Sequence, residues 1–277
     1  MNMASIFAEP KQLPHIPRVV QELMESFRDD DNDVDVDEIS GKVALDQSLT
    51  AKVLRLANSA HYGVSRTIAN PHDAVMLLGF NTLRTMVLAS GVTGAFKLDG
   101  FDQNKFWRNA FGIAALSKWI AGYVPGADKE TAFTCGMMHS VGSLLLIMFY
   151  PKEAMHLDES EAMGSSHRHE LENGQFGYNY ADVGAELAKR WKFPEIIQTA
   201  IHEQNNPQED ADYSTEAGII YLAKYLKRAH DSNMSEDEIV AGFPLAVADK
   251  IGLDVGRAYK DLANIGDLNS GLDGLLD

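Results

Sequence analysis

Apolar residues recur along this chain with the period of a helix. Val36, Ile39 and Val43 stand at positions 0, 3 and 7, and Leu49, Val53, Leu56 and Ala57 at 0, 4, 7 and 8, the spacing that lines one face of a 3.6-residue turn. Punctuation falls where helix ends need it. Asn70 before Pro71 reads as a cap followed by a proline at the first helical position, and Gly79 closes that helix. Asn81 is then expected to cap the next, which carries Leu83, Val87 and Leu88 on one side. Further helices are predicted over 107–123, from 129 through 150 with Pro151 as the stop, over 181–191, over 195–202 and from Ser214 to His230. Ser235 heads another, with acidic residues in its first turn. Residues 160–175 read as a short helix plus loop, and the glycine-rich last dozen residues as a frayed end. No stretch alternates with period two between turn pairs, so strands are not expected. The fold class is all-α, a compact multi-helix arrangement rather than a four-helix bundle.

Composition narrows the function. The chain has 277 residues, 45% hydrophobic and 23% charged, and 24 basic against 40 acidic side chains give a formal charge of −16. A duplex or an anionic membrane would repel such a chain, which weighs against reading the tight helix pair at 70–90 as a DNA-binding helix-turn-helix. One cysteine, Cys135, excludes an intramolecular disulfide framework and a multi-cysteine zinc site. The first residues lack the basic and apolar runs of a signal peptide. The longest apolar stretch, 141–150, is interrupted by Gly142 and Ser143 and falls short of the ~20 residues of a spanning helix. A cytoplasmic protein without membrane attachment is the expectation.

Several clusters could carry chemistry. The acidic run from Asp29 to Glu38 suggests calcium, but in the twelve-residue EF-hand frame that starts at Asp29 the sixth position is Val34 and the twelfth Ser40, where glycine and glutamate are required. A solvated loop leading into an acidic helix start fits better. His167 and His169 form an H-x-H pair, two ligands where zinc wants three or four, and are expected at the surface. Cys135 and His139 share a helix face four residues apart, with packing residues around them. Asn58 and Ser59 are expected to end a helix by bonding backbone groups, His61 and Tyr62 to pack in or beside the interior, and Trp107, Trp119 and Trp191 to be core aromatics. His139-Ser140 is the informative pair: a polar step inside an apolar helix flanked by Gly136 and Gly142. An unpartnered buried imidazole costs on the order of 1–3 kcal/mol, so His139 must find a partner or line a cavity.

The stretch from Gly136 to Leu145 resembles the G-L-L-H-D-I-G-K-L helix of the HD metal-dependent phosphohydrolase superfamily, and more of the chain is similar to its HDOD branch, the HD-related output domains of bacterial signalling proteins. Leu13-Pro-His-Ile-Pro17 resembles the HDOD opening. Residues 46–63, ending in Asn58-Ser59-Ala60-His61-Tyr62-Gly63, are similar to its N-S-A-x-[FY]-G core stretch. Residues 68–88, Phe106-Trp107-Arg108, and 183–194 from Val183-Gly184 to Pro194 match further blocks. The resemblance implies an HD-like helical fold over 12–210, with 211–277 a helical extension packed on it.

It also implies where chemistry would sit. HD relatives hold a divalent metal with a first histidine, the H-D pair and a distant aspartate. Here those positions correspond to Asn109, to His139 with Ser140, and to Lys224; additional histidine positions of some relatives fall near Tyr180 and at His202. One ligand, His139, remains, with His202 a possible second. Hard ions want anionic oxygens, and both carboxylates are gone. The resemblance with these departures implies no catalytic residues, no metal and no cofactor, and a remnant cavity lined by Asn109, His139, Ser140, Tyr180 and His202. It implies a non-catalytic signal-transduction module with signalling proteins in trans as partners, or a small ligand. The alternative is a divergent phosphohydrolase acting on a nucleotide or cyclic dinucleotide, with a divalent transition metal held by His139 and His202.

Overall fold

A computed structural model describes residues 2–9, 12–26, 36–59, 66–160, 167–207 and 213–262, with side chains for all but 23–26 and 158–160. Asp29–Asp35 of the acidic run, His61, Tyr62 and the glycine-rich end lie outside the described residues. Among those described, every regular element is a helix and none is a strand.

Two compact units divide the described chain. One comprises the start through Leu13 and the chain from Asn109 onward; the other is Pro14–Arg108. The first unit opens with α1 (Met3–Ile6), capped by Asn2, which buries Ile6 and Phe7.

The second unit holds α2 (Arg18–Ser26), α3 (Val36–Ala44), α4 (Gln47–Ala57), α5 (Pro71–Leu78) and α6 (Phe80–Ala95). The predicted faces are the buried ones: Ile39, Val43, Leu49, Val53, Ala57, Leu83, Val87 and Leu88 are each at most 3% exposed. Asn70 accepts from Asp73 N at 2.8 Å with Pro71 in the first turn, and Gly79 closes α5 at φ +74°. Asn81 does not cap. It lies inside α6, whose N-cap position is Gly79 with no side-chain bond, because the glycine already makes the sharp turn between the two axes. Asn58 ends α4 as expected: its amide donates to Leu54 O and Ile68 O and accepts from Ile68 N, all at 2.8 Å.

In the helix α7 (Gln103–Ala121) the division between units falls after Arg108. Trp107 is 2% exposed, whereas Trp119 and Trp191 are only half-buried. The first unit continues with α8 (Lys129–Met138), α9 (Val141–Phe149), α10 (Pro151–Ser160), α11 (Arg168–Phe176), α12 (Tyr180–Arg190), α13 (Glu195–Glu203), α14 (Thr215–Asp231), α15 (Glu236–Gly242), α16 (Leu245–Lys250) and α17 (Val255–Asp261). Two expectations need correcting. The predicted helix over 129–150 breaks at His139–Ser140, and Pro151 starts the next helix rather than ending helical structure; a proline lacks only an N–H that a first-turn residue does not need.

The packing that matters is α12 against α9 and α13, with α14 against α13 and α8. Gly142 and Gly184 set the α9–α12 crossing: a Cβ on Gly142 would strike Tyr180 O and lie 2.5 Å from Gly184 N. A second cluster of apolar side chains joins Ile113, Leu116 and Ile120 of α7 to Ile219 and Leu222 of α14 and Val247 of α16. The helices after residue 210 therefore share a core with α7 and α8. Helices α8 and α9 together are long and apolar enough to cross a membrane by length and composition, but 83% of that window is buried inside the fold.

Candidate functional site

The break between α8 and α9 builds the site. His139 is 1% exposed, and its Nδ1–H donates to Gly136 O at 2.6 Å. That bond supplies the partner its burial requires and fixes the tautomer, leaving the lone pair on Nε2. Burial first, then the nearby Lys224 charge, pull the imidazole pKa down to about 3. The ring is neutral throughout the physiological range. Ser140 occupies the N-cap position of α9 without making a side-chain cap bond.

The kink frees a backbone carbonyl, and Gln204 takes it. Its Nε2 donates to His139 O at 2.6 Å and to Ile201 O at 2.8 Å. With its amide hydrogens so used, its oxygen turns to Lys224 Nζ at 3.4 Å. Lys224, 8% exposed on α14, also donates to Tyr180 Oη and Asn205 Oδ1, both at 2.8 Å. Tyr180 O–H donates in turn to Asn205 Oδ1 at 2.6 Å. No carboxylate contacts the ammonium in this set, so desolvation by burial, with the Arg228 charge behind it, lowers the Lys224 pKa to about 7. Burial likewise pushes the Tyr180 phenol up. Beside the network Arg168 and Glu172, 3% and 1% exposed, pair at 2.9 Å, and the second Glu172 oxygen accepts from Tyr180 N at 2.7 Å.

The structure thus brings together His139, Tyr180 and Lys224, and joins Ser140 to them through the backbone. Asn109 lies half-buried on α7. His202 faces elsewhere. Its side chain is 61% exposed and its Nε2 sits 3.2 Å from Asp182 Oδ1, on the wall of an open cleft of about 760 Å³ that Glu186, Lys189 and Glu203 also line. As ligands, His139 and His202 do not converge: one is sealed in the core and the other wets a surface. His169 departs from its expected surface position, being 8% exposed on α11. Cys135 is fully buried with its thiol pushed up by desolvation, which leaves it inert as a nucleophile.

Gln204 and Asn205 escaped sequence reasoning. Nothing in local spacing marks them, because they act on a lysine 20 and 19 residues further on, respectively.

The donor set does not suit a divalent ion. Of Asn109, His139, Ser140 and Lys224, only His139 offers a strong ligand atom, and among the described residues no three His, Cys, Asp or Glu side chains gather where they could hold a metal. A cationic lysine amid neutral oxygens would repel one.

A family model described as HDOD domain matches residues 13–207. The chain is 33% identical, over the whole of both chains and with a TM-score of 0.81, to a crystal structure named "Putative phosphohydrolase" from Shewanella amazonensis SB2B. It is 23% identical, over 94% of this chain and 93% of the other, TM-score 0.73, to an HDOD domain protein with unknown function from Geobacter sulfurreducens. It is also 22% identical to a protein named "Putative signal transduction protein" from Marinobacter aquaeolei VT8, covering 96% of this chain and 58% of that one at a TM-score of 0.77. An uncharacterized protein from Treponema pallidum (strain Nichols) is 24% identical over 82% of this chain, which spans 45% of that relative's length.

Proposed function

This chain belongs to the HDOD domain family, and from that premise we propose that it is a non-catalytic regulatory module of bacterial signalling whose HD metal site has been dismantled. The carrying observation is the donor set: where catalysis by a metal-bound water would need histidine and carboxylates, His139 stands beside a serine and a lysine. A module of this kind acts by presenting its helical surface to signalling proteins in trans, or by taking a small ligand. Its working place is the cytoplasm. The charge of −16 favours proteins or a small molecule over nucleic acid or membrane as what it meets.

A second reading keeps an observation of its own. The 33% identical structure carries the name of a phosphohydrolase, which supports a divergent phosphohydrolase; a nucleotide or cyclic dinucleotide is the substrate class this reading proposes. One experiment separates them. Protein purified without chelator is assayed for bound transition metal and for hydrolysis of a phosphodiester substrate with added Mn²⁺. Substoichiometric metal and no turnover fit the regulatory module. A stoichiometric ion that is lost in His139→Ala, together with turnover, overturns it.

A further inference from the structure

The misfit between the donor set and a metal has a positive counterpart in the way Lys224 is held. Its Nζ lies 2.8 Å from Tyr180 Oη, 2.8 Å from Asn205 Oδ1 and 3.4 Å from Gln204 Oε1. An ammonium has three N–H donors, and three oxygens receive them. None of the oxygens could easily turn away. Tyr180 spends its hydroxyl hydrogen on Asn205, and Gln204 spends its amide hydrogens on His139 O and Ile201 O. Asn205 shows how strongly the centre selects a cation. Its Oδ1 accepts from both Tyr180 and Lys224, while its buried Nδ2 has no partner. An orphaned buried amide donor is costly, yet the flipped amide would point N–H at the ammonium N–H. The result is an oxygen-lined pocket for one positive charge, supplied by α12 and the C-terminal end of α13, and linked through Gln204 to the break that carries His139.

We propose that the Lys224 side chain is a tethered cation, standing in for a bound ion and holding α12, the end of α13 and α14 onto the α8–α9 break without any metal. This rests on the dismantled-site reading above. On this view the arrangement that an ion would have to complete is completed from within the chain whenever Lys224 is protonated. The oxygens that remain are neutral because a single positive charge needs fewer anionic partners than a divalent one.

The test compares wild type, Lys224→Met and Lys224→Asp at pH 6.5, by thermal unfolding with and without millimolar MnCl₂ and by metal content after dialysis. Lys224→Met keeps length and volume but leaves Tyr180 Oη and Gln204 Oε1 without a donor, while Asn205 Oδ1 keeps only the Tyr180 hydroxyl, so its Tm is expected to fall by about 4–8 °C. Mn²⁺ leaves wild type and Lys224→Met unchanged. Lys224→Asp replaces the cation by a carboxylate at the position that the family resemblance gives to the distant aspartate, in the network that Gln204 links to His139. It is expected to be the least stable variant without metal and to gain Tm with Mn²⁺, a gain absent from Lys224→Asp/His139→Ala. Should Lys224→Asp fail to fold, recovery of helical circular dichroism on refolding with Mn²⁺ replaces the Tm shift, and its absence counts against the proposal. A Lys224→Met protein as stable as wild type, or a Lys224→Asp protein indifferent to Mn²⁺, overturns the tethered cation. Metal bound stoichiometrically by wild type instead overturns the regulatory reading, a separate outcome.

Discussion

Gln204 donates its side-chain amide to the backbone carbonyl of His139 at 2.6 Å, across 65 residues of chain. The carbonyl is available because α8 ends at Met138 and α9 begins at Val141, so no residue of the same helix bonds it in the ordinary i+4 pattern. A kink inside an apolar core is thereby satisfied by a residue from another helix, and the same residue aims its oxygen at Lys224.

Replacing Gln204 by leucine should leave His139 O and Ile201 O unbonded in a dry interior. The expected loss is about 2–4 kcal/mol, since each buried orphan costs on the order of 1–3 kcal/mol. Urea unfolding should show a lower midpoint with an unchanged slope; an unchanged midpoint would mean that water reaches the carbonyl.

Gly142→Ala should be among the most damaging single-methyl changes in the chain. Its Cβ would strike the Tyr180 carbonyl and sit 2.5 Å from Gly184 N, backbone that cannot rotate aside. A loss above ~3 kcal/mol, or failure to accumulate as folded protein, is expected. Gly174→Ala on α11, where nothing lies within 4 Å of the new atom, should instead gain about 0.5–1 kcal/mol from helix propensity. Equal effects at the two sites would contradict the tight crossing.

Glu172→Gln removes the charge that neutralises Arg168 in a setting where both are at most 3% exposed. A buried guanidinium stripped of its partner costs about 3–5 kcal/mol. Chemical denaturation of Glu172→Gln and of Arg168→Met/Glu172→Met tests this: the double variant should be the milder of the two.

His139 gives stability a specific acid dependence. Its pKa is held at about 3 in the fold against an ordinary 6.5, so between those values the unfolded chain binds the extra proton. Its contribution is present above pH 6.5 and lost as pH falls toward 3. In His139→Gln the decline of unfolding free energy from pH 6.5 to 4 should be shallower than in wild type. Parallel curves would show that the ring titrates normally and is not buried as described.

Much of the fold was legible. The apolar faces of α3 and α4, the Asn70-Pro71 start, the Gly79 turn, and the Ser214 and Ser235 caps follow from contacts within a few residues of one another, the range over which helix period and capping operate. The errors occur where a distant residue outbids local preference. Residues 129–150 have continuous helical character, and only the crossing of α12 at Gly142, with Gln204 donating to the freed carbonyl, makes a break tolerable.

The candidate site divides the same way. The chain's order of residues alone determined that His139 is followed by a serine and that the net charge is −16, because identity and net charge need no coordinates; that Lys224 falls at the distant position is what the family resemblance implies. Only tertiary structure decided that His202 points into an open cleft while His139 is sealed, and that Tyr180, Gln204 and Asn205 converge on one ammonium. Helix periodicity fixes which face a side chain takes, but not which other helix comes to meet it; that depends on packing between segments tens of residues apart, where desolvation makes every unmatched polar atom costly and so selects a single arrangement.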